Sequence, residues 1–327
     1  MKKPNFLTKI LVVIAVFIVL VTLFKMGIQY FESEPPKKVV KHKSILHMDL
    51  SGIIMNGKKF LKHLKDYKDD QHIKAILIRI NSPGGAVGPS QEIFSELKRF
   101  REEIKKPIVC VSTGVIASGA YYAAMACDKL VVAPGALVGS IGVIMEFANL
   151  EKLYDWAKVS RYSITSGKFK DSGSEYRAMR DDERALFQDM INEVYAQFKS
   201  AVVEGRHLKE ELVSEYADGR VMTGAKAVKL GFADKEGTYE DAVRLTAELA
   251  NLGKDYEIFE IPKKKRSLWD LGDGTEEDPL NSLTQKLSGQ AVVDGLIHQV
   301  IRADLLNQPL YLMPGFWPEK ATDTGAE

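Results

Sequence analysis

The chain has 327 residues, 45% of them apolar and 27% charged, enough to bury one large core with extensions around it. A net charge of +1 gives no footing for nucleic-acid binding. Neither a Cys-x-x-Cys nor a His-Glu-x-x-His spacing is present to hold a metal, and no cofactor is expected.

In chain order, Ile10 to Phe24 is interrupted by one polar residue, Thr22. With Phe6 and Leu7 added, and Lys9 and Lys25 reaching for the headgroups, about 18–20 residues can span a bilayer. A cleaved secretory signal is the alternative, but the apolar run is long for one and no small-x-small pattern follows Lys25. The expectation is an uncleaved transmembrane anchor over 1–27. Lys2, Lys3 and Lys9 favour an amino end inside the cell, whereas Lys25, Lys37, Lys38, Lys41 and Lys43 oppose it. Residues 28–43, broken by Pro35 and Pro36, read as a polar tether.

A folded domain is expected over 44–262. Strands are predicted at 44–54, 75–80, 107–112, 129–133, 139–145 and 161–165, and helices at 90–105, 118–127, 149–158 and 181–205. Ile93, Phe94, Leu97, Phe100 and Ile104 form one apolar stripe on the first helix. Alternating strands and helices imply an α/β domain with a largely parallel sheet. Glu257–Ile261 alternates and stops at Pro262, the pattern of a late edge strand. Cys110 and Cys127 are expected as two separate buried thiols, with a disulfide as the alternative. Lys263–Arg266 reads as a solvated linker, and 263–327 as a helical extension and tail. Helical spacing runs from Asn281 to Leu306, and the apolar segment Leu310–Trp317 must dock somewhere. It packs either on its own domain or in a neighbour's substrate groove.

Chemistry points to the turn Val115-Ile-Ala-Ser118-Gly119-Ala-Tyr-Tyr, where a strand meets a helix. A serine there exposes its hydroxyl beside free backbone N–H groups, so it can be a nucleophile, and it can equally be a helix cap. Asn81-Ser-Pro-Gly-Gly85 also follows a strand, and the N–H groups of Gly85 and Gly119 could pair as an oxyanion hole. A serine nucleophile needs a base. None of the six histidines lies between 119 and 206, whereas Thr165-Ser-Gly-Lys168-Phe-Lys170-Asp171 offers two lysines in a turn. For a lysine to serve, its pKa must fall from about 10.4 to about 7, roughly 4 kcal/mol of desolvation or hydrogen bonding.

Five stretches, taken together, resemble the catalytic domain of the signal peptide peptidase A family in its short, single-repeat form. They are Asn-Ser-Pro-Gly-Gly at 81–85, Ala-Ser-Gly-Ala-Tyr-Tyr at 117–122, Val-Gly-Ser-Ile-Gly-Val-Ile-Met-Glu at 138–146, Ser-Gly-Lys-Phe-Lys-Asp at 166–171 and Asp-Gly-Arg-Val-Met-Thr-Gly at 218–224. The resemblance implies a Clp-protease/crotonase-like fold of repeated β-β-α units. It implies Ser118 as nucleophile, Lys170 as general base, Ser140 as the hydroxyl that holds the lysine amine, and Gly85 as an oxyanion donor. Ala120 departs from the family, whose members commonly carry glycine there. Substrates implied are remnant signal peptides, and an extended substrate could pair with Ile141-Gly142-Val143 by strand addition. The resemblance also implies a ring-shaped homo-oligomer, an octamer, with serine and lysine donated by adjacent subunits, held at the cytoplasmic membrane with its catalytic domain outside. The rivals are a crotonase-like acyl-CoA enzyme and an inactive scaffold of the same fold.

Overall fold

The computed structural model describes residues 39–262 and 309–312. The chain divides into two compact units. The one made of Met1–Val39 and Pro262–Gly274 lies almost wholly outside the described residues, and the fold is that of the other, Val40–Ile261 with Thr275–Glu327. The anchor expected over 1–27 and the one or two helices expected over 281–306 also lie outside the described residues. Among those described, no helix is long and apolar enough to cross a membrane.

The centre is a six-stranded sheet in which every neighbouring pair is parallel. It comprises β1 (Ser44–Ser51), β2 (Ile73–Asn81), β4 (Ile108–Ser112), β6 (Lys129–Val132), β9 (Lys235–Glu236) and β10 (Glu257–Glu260), in the order β10-β1-β2-β4-β6-β9. β10 is indeed an edge strand. The inner strands are apolar nearly throughout because a parallel sheet is covered on both faces. Side chains alternate between two cores. Leu46, Met48, Ile76, Ile78, Cys110, Leu130 and Val132 face one side. There they meet helices α1 (Lys58–Tyr67), α2 (Val87–Ile104), α3 (Gly119–Ala124) and α5 (Asp181–Arg206). Ile45, Ala75, Leu77, Val109, Val111 and Val131 face the other, under Ala242, Val243 and Ala247 of α8 (Tyr239–Leu249).

Two small sheets sit at the carboxyl ends of the central strands. β5 (Val115–Ala117) pairs parallel with β7 (Leu137–Gly139), which pairs antiparallel with β8 (Val221–Thr223). β3 (Gly84–Ala86) pairs antiparallel with β11 (Leu310–Leu312). Helices α4 (Glu151–Trp156), α6 (Glu210–Tyr216) and α7 (Gly224–Leu230) complete the described elements.

Three expectations are corrected. The strand read over 139–145 is only Leu137–Gly139, because the φ of 51° at Ser140 breaks the extended backbone, although its N–H still reaches Arg220 O, the next residue along from β8, at 2.9 Å. Residues 161–165 form no strand; they are exposed, and side chains tie them to 175–176 through Arg161–Glu175 and a 2.7 Å hydroxyl contact between Ser163 and Tyr176. Cys110 and Cys127 are joined in a disulfide, Cα atoms 6.0 Å apart, instead of lying as separate thiols. Cys110 stands mid-strand in β4, and Cys127 lies two residues before β6, the strand paired with β4, so the sheet brings the two together.

Candidate active site

Ser118 ends β5 and opens α3. Its N–H donates to Gly139 O at 2.7 Å, and its C=O accepts from Tyr122 N–H at 2.8 Å. Of the two roles open to its hydroxyl, the cap is not taken. Its backbone, φ 51° and ψ −121°, is not the extended conformation of a cap residue, and the side chain makes no cap hydrogen bond. The residue is buried, and among the described residues its Oγ has no hydrogen-bond partner. A strained backbone of this kind costs on the order of 1–3 kcal/mol, and an unpartnered buried hydroxyl about as much again. A fold that carries both at one residue keeps that hydroxyl available for chemistry.

β3 passes beside this serine. Ile54 N–H donates to Gly84 O at 2.9 Å and Ala86 N–H to Ile54 O at 2.8 Å, which pins the Gly-Gly segment. Gly85 must be glycine, since a Cβ there would lie 2.2 Å from Ile54 O. At Gly84, with φ 99°, a Cβ would lie 2.0 Å from Tyr311 O, 2.7 Å from Gly119 N and 3.0 Å from Ser118 Cβ. The serine, the Gly119 N–H and the carbonyl of Tyr311 therefore crowd one point. Gly119 N–H has no backbone acceptor among the described residues. A hydroxyl and a free amide donor around one carbonyl position can perform acyl transfer.

Ser140 is buried just beyond β7, the strand whose Gly139 carbonyl holds Ser118 N–H. Ile141 is buried, and its carbonyl accepts from Gly219 N–H at 3.1 Å. Gly142 and Val143 are half-buried, and the residue in this stretch that pairs with another strand is the next one, Ile144, with Leu310. Lys170 lies on a turn, its N–H on Gly167 O at 3.1 Å. Its side chain is exposed without a hydrogen-bond or ion-pair partner among the described residues, and no hydrogen bond joins it to Ser118 within the chain. Lys168 is engaged, 2.7 Å from Asp182 and over the Phe169 ring.

Sequence reading missed what holds that turn. Arg177 donates to both Glu183 oxygens, at 2.9 and 2.6 Å, and to the carbonyl and carboxylate of Asp171. Arg180 gives Nη2 to Lys168 O at 2.7 Å and its N–H to Glu183 at 2.9 Å. Glu183 is fully buried, and the Arg177 guanidinium holds its carboxyl down at about 2. The turn bearing Lys170 is thus clamped onto the first turn of α5. Only the acidic run Asp181-Asp-Glu183, which suits a helix start, hinted at it. Among the described residues no group of three or more His, Cys, Asp or Glu could hold a metal ion.

Residues 100–253 match the family described as Peptidase family S49, a span that includes Ser118, Ser140, Lys168 and Lys170. Among curated relatives, "Putative protease slr0021" of Synechocystis sp. is 41% identical over 233 residues, 70% of this chain and 83% of the relative. "Putative signal peptide peptidase SppA" of Enterococcus faecium is 30% identical over 66% of this chain and 67% of the relative. "Serine protease SPPA, chloroplastic" of Arabidopsis thaliana is 30% identical over 79% of this chain, which spans only 40% of that longer relative.

Proposed function

The chain belongs to peptidase family S49 and is a protease, and from that premise we propose a membrane-anchored serine endopeptidase with a Ser118/Lys170 dyad that degrades remnant signal peptides and other membrane or exported polypeptides. The observation that carries the reading is Ser118 itself. It has a strained backbone and, among the described residues, a buried hydroxyl with no partner and a neighbouring N–H without a backbone acceptor, all at one spot.

In this reading Lys170, in its neutral form, takes the proton from Ser118 Oγ as that oxygen attacks the peptide carbonyl. The N–H groups of Gly85 and Gly119 hold the oxyanion, and Ser140 orients the amine. The lysine proton passes to the departing amine nitrogen as the C–N bond breaks. Water, deprotonated by the same lysine, then releases the acid from the serine ester.

Serine and lysine meet between adjacent subunits of a ring, taken as an octamer. Supporting this, Ser118 Oγ has no hydrogen-bonded base from its own chain among the described residues, and the exposed stretch leading to Lys170 carries large apolar side chains. Trp156 is 80% exposed, Tyr162 79% and Ile164 95%. Such side chains call for cover. The Cys110–Cys127 disulfide favours an oxidising compartment, hence a catalytic domain outside the cytoplasmic membrane. The names of two relatives, one a signal peptide peptidase and one a serine protease, favour the substrate class and the nucleophile type.

The test mixes two inactive chains, Ser118→Ala and Lys170→Ala, in detergent and follows hydrolysis of a synthetic signal peptide. Recovery of activity on mixing is expected. No activity at any ratio would sink the shared site, and a fluorophosphonate probe that labels the wild type anywhere but Ser118 would sink the nucleophile.

A further inference from the structure

Helix α1 carries its charges the wrong way round for its own stability. Phe60, Leu64 and Tyr67 are buried, and Tyr67 lies against Phe259 of β10 with ring centroids 5.0 Å apart. The face turned away from that core bears Lys58, Lys62 and Lys65, spaced i, i+4 and i+7 so that they follow one stripe. Like charges at these spacings repel. Lys58 and Lys59 stand in the first turn, where the helix dipole favours acids; that turn holds no acid, and Gly57 supplies no side-chain cap. Glu92 of α2 brings one carboxylate near, its Oε2 3.4 Å from where a Cβ on Gly57 would stand. Lys58, Lys59, Lys62 and Lys65 are exposed, and among the described residues Lys58, Lys59 and Lys65 have no ion-pair partner. A merely solvated helix face mixes the two signs at these spacings.

The charge is local. Lys58 to Lys68 holds five lysines, His63 and one acid, Asp66, in a chain whose net charge is +1, so the rest of the molecule is net acidic. Exposed Lys41 and Lys43 extend the patch, because Ser44 N–H donates to His72 O at 2.9 Å and so brings the chain into β1 beside the loop that leaves α1. Past the helix, Lys106 Nζ donates to the carbonyls of Lys68 and Asp70, both at 2.8 Å, and sets a further cation beside Asp69 and Asp70. The other end of α1 adjoins the chemistry. Gly57 follows Ile54 by three residues, at most about 11 Å of chain, and Ile54 pins Gly84 and Ala86 beside Ser118. From Lys41 the chain leads back to the residues expected to cross the bilayer, so an anionic leaflet is the polyanion this patch meets.

We propose that α1 is a lipid-facing helix: its lysine stripe, with Lys41 and Lys43, lies on the anionic phospholipid headgroups of the membrane that holds the anchor, and keeps the Ser118 cleft at the lipid surface. The inference rests on the anchor of the proposed function and not on the dyad. Headgroup phosphates supply what the helix lacks. They face the first-turn lysines, complement the positive end of the dipole and screen the stacked cations from one another. Each lysine held at an anionic surface contributes about fivefold to binding, so the stripe of three compounds to about a hundredfold, and salt weakens it. Peptides leaving the bilayer then meet the cleft without crossing bulk water.

The experiment places the full chain in vesicles of phosphatidylcholine, with and without phosphatidylglycerol. A membrane-impermeant reagent acetylates outward-facing lysines, and peptide mass spectrometry reads the rates. Acetylation of Lys58, Lys62 and Lys65 is expected to be about tenfold slower with phosphatidylglycerol than without, and to recover in molar salt. Exposed Lys209 and Lys229 should react alike in both lipids. The triple variant Lys58→Glu, Lys62→Glu, Lys65→Glu should keep its peptide hydrolysis in detergent and melt no lower than the wild type, since it relieves the conflict with the dipole, yet show no lipid dependence at Lys59. Equal rates in the two lipids overturn the inference and leave the anchored peptidase standing. Rates already slow in detergent do the same, because another copy then covers the helix. Protection that soluble polyglutamate reproduces as strongly in phosphatidylcholine assigns the face to an acidic polypeptide and also overturns it. A chain stripped from the vesicles by alkaline carbonate overturns the anchor and this inference together.

Discussion

Replacing Glu183 by glutamine tests the clamp under Lys170 while leaving the serine untouched. The carboxylate is fully buried and accepts from Arg177 at 2.6 and 2.9 Å, from Arg180 N–H at 2.9 Å and from Arg180 Nη2 at 2.8 Å. Glutamine keeps the shape and removes the charge, leaving Arg177 with the carboxylate and carbonyl of Asp171 and the Ala178 carbonyl. Removing one partner of a buried pair costs about 3–5 kcal/mol, and since Arg177 and Arg180 keep access to water the expected loss is about 2 kcal/mol. For a domain of this size that lowers Tm by roughly 4–8 °C. Limited trypsin digestion should show faster cleavage at Lys168 and Lys170, and peptide hydrolysis should fall, with probe labelling at Ser118 slowing in step. The pH dependence has a definite sign. The Glu183 carboxyl sits at about 2 in the folded chain against an ordinary 4.5, so its contribution is complete above pH 4.5 and is lost as pH falls toward 2. The gap in Tm between wild type and variant should therefore close over that range. Equal Tm values at pH 7 with equal tryptic patterns, or a gap that does not change with acid, would refute the reasoning.

The two lysines of the turn should separate cleanly. Lys168→Ala removes an exposed ion pair, worth under about 1 kcal/mol, and should keep its peptidase activity, whereas Lys170→Ala should lose it by about a thousandfold or more. In Gly85→Ala the new carbon meets Ile54 O at 2.2 Å and displaces the donor strand, so kcat should fall about 10²–10³-fold with a smaller change in KM, read by steady-state kinetics on a peptide. Cys110→Ala with Cys127→Ala opens a closed loop of sequence separation 17 and should lower stability by about 3 kcal/mol in a denaturant titration; a midpoint equal to wild type would argue that the link adds nothing.

Sequence alone reaches the inner strands of the central sheet because they are short apolar runs, but it misses the two-residue Lys-Glu edge β9; it reaches α5 because a long amphipathic stretch leaves no other choice. It misses α8, although Thr238 and Asp241 form a capping box at its start, because the apolar face there is mostly alanine and valine. It extends β7 too far because left-handed backbone at a serine has no signature in composition. The same blindness leaves Ser118 suspended between cap and nucleophile, since only its dihedral angles and its unpartnered oxygen separate the two. The disulfide and the Arg177–Glu183 clamp depend on strand order and on a turn folding back over a helix, which are long-range facts. That Leu310 begins a segment needing cover can be read from its apolarity; that the cover lies beside the serine cannot.

Ser118 Oγ has no hydrogen-bonded base among the described residues of its own chain. Under the proposed dyad, that would make assembly a safety catch. A lone polypeptide would carry a trigger without a hammer, and competence would arrive only at the local density where copies meet.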